Sequence, residues 1–271
     1  MPSEVVVEAL SVQDISRNVA LSSAVGWPDT ESEWRVIYQA ALVLGVKRDG
    51  ELIGQGALGL FEGSASIAKM VVAPSAQRRG IGARILDALL LEAERRSLSR
   101  VGLVATPFGR PLYESRGFTP GDDVVICVGT PSFEAEPSGS WPIEDAEQLL
   151  AIERRFTGSA RTAMLRGRLR EACASAICAG GCALATPQPV GARIGPIFAD
   201  SEETARALAR DLFLRLGGPV RLDVPGEQRA FRGWLQLLGL VEKSVHLEMS
   251  RGGVPPWHVP QRYGQATQAW G

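Results

Sequence analysis

Histidine is nearly missing from this chain: His246 and His258 are the only two in 271 residues, so the first half has none. That half therefore lacks the side chain most often used as a general base near neutral pH. Both histidines are assigned here to surface or packing positions. Lysine is scarce as well, since only Lys47, Lys69 and Lys243 accompany the arginines. The 29 basic and 30 acidic side chains leave a net charge of −1. Without a positive excess there is no global field to draw nucleic acid or an anionic membrane surface, and neither is expected as a partner. The four cysteines, Cys127, Cys173, Cys178 and Cys182, form no CxxC pair and have no histidine at ligand spacing, so no metal site is expected. They read as reduced thiols. No apolar run approaches the ~20 residues of a membrane span. Met1 to Leu10 also lacks the charged start and apolar centre of a signal peptide, so the expected location is cytoplasmic.

What is present is a composition of 45% hydrophobic and 22% charged residues over a length that suits two ordinary domains. The most informative segment is Gln77-Arg78-Arg79-Gly80-Ile81-Gly82-Ala83. It lies between a strand-like run ending at Val72 and a helix-like run from Ile81 to Ser97. Glycines at 80 and 82 let the backbone approach a ligand closely, and the free N–H groups of a helix start favour an anion. Arg78 and Arg79 add positive potential, so a pyrophosphate is the expected guest.

Around this loop the pattern predicts strands at Val5 to Ala9, Leu42 to Lys47, Leu52 to Phe61, Ser66 to Val72, Arg100 to Ala105 and Asp123 to Gly129. Asp49-Gly50 and Glu62-Gly63-Ser64 are expected hairpin turns. Helices are expected over Val12 to Val25, after the Thr30 cap, over Ile81 to Ser97, and over Arg110 to Ser115. Thr30 and Glu33 have capping-box spacing, which assigns Glu33 to the cap.

The run Met70 to Pro74, the loop Gln77 to Ala83, and Leu112-Tyr113-Glu114-Ser115-Arg116-Gly117-Phe118 together resemble the GNAT superfamily of acyl-CoA-dependent N-acyltransferases over roughly residues 4 to 129. The resemblance implies an α/β (α+β) fold with a mixed twisted sheet flanked by helices. It implies that the backbones of Met70 and Val72 meet the pantetheine arm of acetyl-CoA. It also implies that Gln77, Arg78, Arg79, Gly80, Ile81, Gly82 and Ala83 hold the pyrophosphate and that Tyr113 protonates the departing thiolate. Trp27 falls in the region that lines the acceptor site in such enzymes. The implied reaction is acetyl transfer to a primary amine of a small or amino-acid-like molecule. The alternative is a non-catalytic acyl-CoA sensor, favoured by the lack of any legible general base. A homodimer is among the assemblies left open.

The second half echoes the first. When Ile197 to Asp200 is set over Val71 to Pro74, Ser201 to Leu208 falls on the loop, Arg206 and Leu208 replace the two glycines, and Leu235 replaces Tyr113. Glu202 and Glu203 then stand where phosphates would sit. The expected organisation is a catalytic domain at 1–130, a linker at 131–140, a degenerate GNAT-like domain at 141–251, and a tail at 252–271. The aromatics Trp257, Tyr263 and Trp270 argue that the tail packs somewhere.

Overall fold

The computed structural model of the protein describes residues 5–134, 139–268 and 270. The first half runs β1 (Glu8–Ala9), α1 (Ile15–Ser23), α2 (Glu31–Ala40), β2 (Ala41–Arg48), β3 (Glu51–Phe61), β4 (Ser64–Val72), α3 (Ile81–Arg95), β5 (Arg100–Ala105), α4 (Arg110–Glu114) and β6 (Thr119–Gly129). The second half repeats that order: α5 (Ala146–Thr157), α6 (Thr162–Arg170), β7 (Ala174–Cys178), β8 (Gly181–Pro187), β9 (Ala192–Ala199), α7 (Glu202–Leu216), β10 (Val220–Pro225), α8 (Arg229–Leu237) and β11 (Val241–Arg251). A short strand, β12 (Arg262–Gly264), follows. Local chemistry accounts for most of these elements. Asp49 and Gly50 take positive φ and close the β2–β3 hairpin, as their dipeptide predicts. Thr30 accepts a hydrogen bond from the Glu33 amide and starts α2.

The strands form one sheet in the order β1-β2-β3-β4-β5-β11-β6-β10-β9-β8-β7, with β12 beside β9. Neighbours are antiparallel except β4 with β5 and β9 with β10. The last strand of each half is exchanged. Strand β11 pairs with β5 of the first half, and β6 pairs with β10 of the second. The two exchanged strands pair with each other in the middle. The contiguous blocks 1–130 and 141–251 therefore cut across a single sheet. Each half alone would leave a row of unpaired N–H and C=O groups at β5 or β10, and the exchange satisfies both.

Helix α3 packs on the first-half strands in one core, and α7 packs on the second-half strands in another. A third core joins the halves, with Trp34 and Ile37 of α2 against Leu149, Met164, Phe198 and Trp270. Residues 135–138 of the expected linker lie outside the described residues. On either side the chain is anchored: the Phe133 and Phe213 rings lie 6.1 Å apart, and the Ser140 amide donates to Asp211 Oδ2 at 3.1 Å.

The segment after β11 is built into the fold. Trp257 and Trp270 are almost completely buried, and both meet Phe61 edge-on, with centroids 5.1 and 6.0 Å away. Gly59 makes room for this: a Cβ there would stand 2.3 Å from the Trp270 ring.

Candidate active site

Gly80 sits at φ +77° as the N-cap of α3, and no side chain caps the helix. Only a residue without Cβ takes that left-handed conformation at little cost. The amides opening α3 consequently have no partner among the described residues and face outward, where the helix dipole favours an anion. Arg78 and Arg79 are exposed beside them, and among the described residues no carboxylate holds either guanidinium. Two of the loop side chains have other work. The Gln77 amide donates to the Val72 carbonyl at 3.1 Å and ties the loop to β4, while Ile81 is buried in the core and offers only its backbone N–H.

The two glycines differ in what a substitution does to the protein itself. A Cβ on Gly82 would meet Val72 at 3.6 Å and Leu112 at 3.7 Å, both ordinary contacts, whereas any side chain at Gly80 is strained by its φ. Gly82→Val is therefore the clean test. It should leave the melting temperature nearly unchanged and weaken acetyl-CoA binding roughly tenfold or more, about 1.4 kcal/mol per decade. Calorimetry giving wild-type affinity for that variant would contradict the loop assignment.

Those same contacts show that the end of β4, the loop and α4 converge around Gly82. Beneath them β4 and β5 pair only from Ser64↔Arg100 to Ile67↔Leu103 and then part. The rest of β4 keeps an open edge. The Ala73 amide bonds back to Ile53 of β3, so Val72 and, by alternation, Met70 turn their backbone groups into the gap. The Val72 carbonyl accepts from the Gln77 amide, and the Val72 amide and the Met70 backbone groups have no strand opposite them on that edge.

Tyr113 lies on α4 at this opening. It packs edge-on to Phe118 with centroids 6.0 Å apart, and it is buried, which pushes its phenol above the ordinary value. It therefore stays protonated at neutral pH. Among the described residues its hydroxyl has no hydrogen-bond partner, so the phenol can donate to a ligand.

On the opposite face of the opening the structure holds a group of charges that sequence reasoning did not assemble. Lys69 adopts φ +53° at a break in the β3–β4 register, and its Nζ lies 2.5 Å from Asp29 and 3.2 Å from Glu33. Arg193 of β9 approaches Glu33 at 3.7 Å and Asp223 of β10 at 4.0 Å. All of these side chains are more than nine-tenths buried. Glu33 thus does not close a capping box. Its side chain turns into the protein, and although burial favours its neutral form, Lys69, Arg193 and Arg168 outweigh that and hold its carboxyl well below the usual range. Trp27, in the same α1–α2 loop as Asp29, is half-buried against the core that joins the halves. One signal was available in the sequence: Lys69 is one of three lysines and the only charge in β4.

The corresponding place in the second half is closed twice. Ser201 caps α7 by accepting from the Thr204 amide at 3.2 Å, and the Glu202 carboxylate, in the first turn, adds negative charge there and pairs with Arg206. Leu235, at the tyrosine position, is fully buried. Strands β9 and β10 also part, after Ile194↔Leu222, but the chain itself fills that gap. Arg262 and Gly264 of β12 pair with Phe198 and Ile197 on one side, and the Gln265 amide donates to the Asp223 carbonyl on the other at 2.8 Å. In the second half the C-terminal segment lies where β4 and β5 leave room for an acyl-carrying arm in the first.

A splayed parallel pair, an uncapped glycine helix start at its mouth and a buried tyrosine beside it define an acyltransferase built on a mixed sheet. Two models of the acetyltransferase (GNAT) domain match the chain, over residues 39–120 and 149–264. The protein belongs to the GNAT acetyltransferases, in a tandem arrangement. It is 28% identical over 244 residues to YitH, an uncharacterized N-acetyltransferase of Bacillus subtilis strain 168, which covers 85% of this chain and 86% of that one. Among solved structures, an acetyltransferase-type protein of Pyrococcus horikoshii superposes with a TM-score of 0.86 at 22% identity, covering 100% of this chain and 97% of the other. A tandem GNAT protein from the clavulanic acid biosynthesis pathway gives 0.68 at 15% identity, covering 93% and 99%. The GNAT family implies an acyl-CoA co-substrate, and the residues around the first opening fit one. Among the described residues no helix is long and apolar enough to cross a membrane.

Proposed function

We propose that the protein transfers the acetyl group of acetyl-CoA to a primary amine of a small or amino-acid-like molecule in the cytoplasm. In this reading the first half carries the chemistry and the second half helps to wall the acceptor side. The observation that carries it is the asymmetry between the halves: one opening is free and faces an uncapped helix start, and the other is filled by the chain. The loop amides of Arg79, Gly80, Gly82 and Ala83 would hold the pyrophosphate, Met70 and Val72 the pantetheine arm, and Tyr113 the leaving sulfur.

The mixed charges of Asp29, Lys69 and Arg193 on the acceptor face suit a molecule with both an amine and an acidic group. Release of CoA from acetyl-CoA, followed with a thiol reagent across a panel of amines and amino acids, tests the reaction. A protein that binds acetyl-CoA yet releases no CoA with any acceptor would instead be a sensor.

One acetyl-CoA per chain is the expected stoichiometry. Because Ser201 and the β12 segment occupy the second half's helix start and strand gap, calorimetric titration should saturate at a single site. Saturation at two would mean that the C-terminal segment leaves its groove when ligand is present.

A further inference from the structure

We propose that His246, on the strand which the second half lends to the first, is the general base that takes the acceptor's proton at the acyl-transfer site. The inference rests on the acetyl-transfer reading above. Its first support is register. Strand β11 pairs with β5 up to Leu247↔Ala105, and Ala105 is the last residue of β5. His246 thus stands one residue beyond the end of β5, at the level where β4 and β5 have already separated.

The second support is direction. Leu247 and Met249 lie opposite Ala105 and Leu103 and pack in the core beneath α3. Glu248, between them, points to the other face, where it meets Arg262 at 2.8 Å and Gln265 at 2.5 Å. Alternation places His246 on the Glu248 face. That is the face on which Arg193 joins Asp223 to Glu33, and Glu33 to Lys69. His246 and Lys69 therefore flank the opening from its two sides, His246 from the β5–β11 side and Lys69 from β4.

The third support is what surrounds the ring. His246 is half-buried; its Nδ1 is enclosed and has no hydrogen-bond partner among the described residues, while the ring makes a hydrogen bond with the Gln268 side chain. The groups that act on it are Asp223 and Arg221 from β10 and the Gln268 side chain from the C-terminal segment. Burial, the largest influence, favours the neutral imidazole, so a lone pair is available at neutral pH. Asp223 and Gln268 favour the charged form, which gives the imidazolium a place to exist once the proton arrives. Asp223 itself is gripped by Arg221 at 2.8 and 3.2 Å, so it does not hold the ring permanently charged.

Other candidates are disabled. The Glu33 carboxylate is bound to Lys69, and Glu62 sits exposed in the β3–β4 turn. His258 is mostly buried with its Nδ1 3.4 Å from Glu248, and burial, with Arg262 and Arg161 nearby, lowers its pKa to about 2.

The amine nitrogen forms a bond to the thioester carbonyl carbon as the carbon–sulfur bond breaks. The proton that nitrogen loses goes to His246, and the sulfur takes the Tyr113 proton. Exchange through water returns the imidazolium proton to the tyrosinate, leaving amide and CoA thiol as products.

The test uses the full chain, acetyl-CoA and the amine that releases CoA fastest in the panel, or water as acceptor if none exceeds hydrolysis. For the wild type, kcat/KM should fall at low pH along a limb centred below 6.5, apart from the amine's own ionisation at roughly 8 to 10. His246→Asn and His246→Gln should keep the wild-type melting temperature and acetyl-CoA affinity, because either amide can keep a hydrogen bond to Gln268 and Nδ1 has no partner among the described residues to lose. They should lose roughly 10²–10⁴-fold in turnover, and the low-pH limb should vanish. Undiminished turnover, or an acid limb that survives in both variants, overturns the role of His246 while leaving the donor site intact. If the wild type itself fails to bind acetyl-CoA, the donor site is wrong and His246 loses its role with it.

Discussion

Tyr113→Phe should lower CoA release by roughly 10²–10⁴-fold while acetyl-CoA affinity and melting temperature stay near wild type. The separation of these effects follows from the geometry. The ring carries the packing: it lies edge-on to Phe118, and a Cβ on Gly109 would come within 3.1 Å of it. The hydroxyl has no hydrogen-bond partner among the described residues, so removing it orphans none of them and costs little folding energy. A thiolate leaving in the same enclosed opening is desolvated too, which raises its proton affinity along with that of the phenol. Burial therefore does not spoil the match between donor and acceptor. The measurement is steady-state kinetics beside calorimetry. Turnover retained at neutral pH would reduce Tyr113 to a packing residue, and a large loss of acetyl-CoA affinity would make it a binding residue instead.

Trp270→Ala should destabilise the whole chain by roughly 3–5 kcal/mol, the range for deleting a fully buried large aromatic. The indole is 1% exposed and fills the space above Gly59 and beside Phe61, and the Trp270 carbonyl receives the Arg161 guanidinium, itself paired to Glu153 at 2.6 Å. Removing the ring leaves a cavity between the two halves at the end of the segment that plugs the second opening. The loss is read as a lower denaturant midpoint at unchanged slope. A midpoint within experimental error of wild type would show that this segment is not part of the cooperative unit, against the packing described here.

Local chemistry decides the elements, and the sequence is sufficient for them. Asp49-Gly50 closes its hairpin, Thr30 starts its helix, Arg100 to Ala105 is a strand at both ends, and the glycine loop before Ile81 sits on the open helix start that its residues demand. Short-range spacing likewise marks Tyr113 and the echo between the halves. Spacing carries no information about partners far apart in the sequence, and there the tertiary structure alone decides. Glu33 has the spacing of a cap, yet burial beside Lys69 and Arg193 turns its side chain the other way. His246 lies in the second half of the chain and comes to the end of β5 only because β11 fills that edge. The segment after residue 251 has the glycines and prolines of a tail and becomes a strand because β9 and β10 leave backbone groups unpaired. The sequence by itself determined the loop, the tyrosine and the repeated order of elements; the exchange that pairs β11 with β5 and β6 with β10, and the C-terminal segment that lies beside β9, decided which strand gap is filled and which residues surround the other.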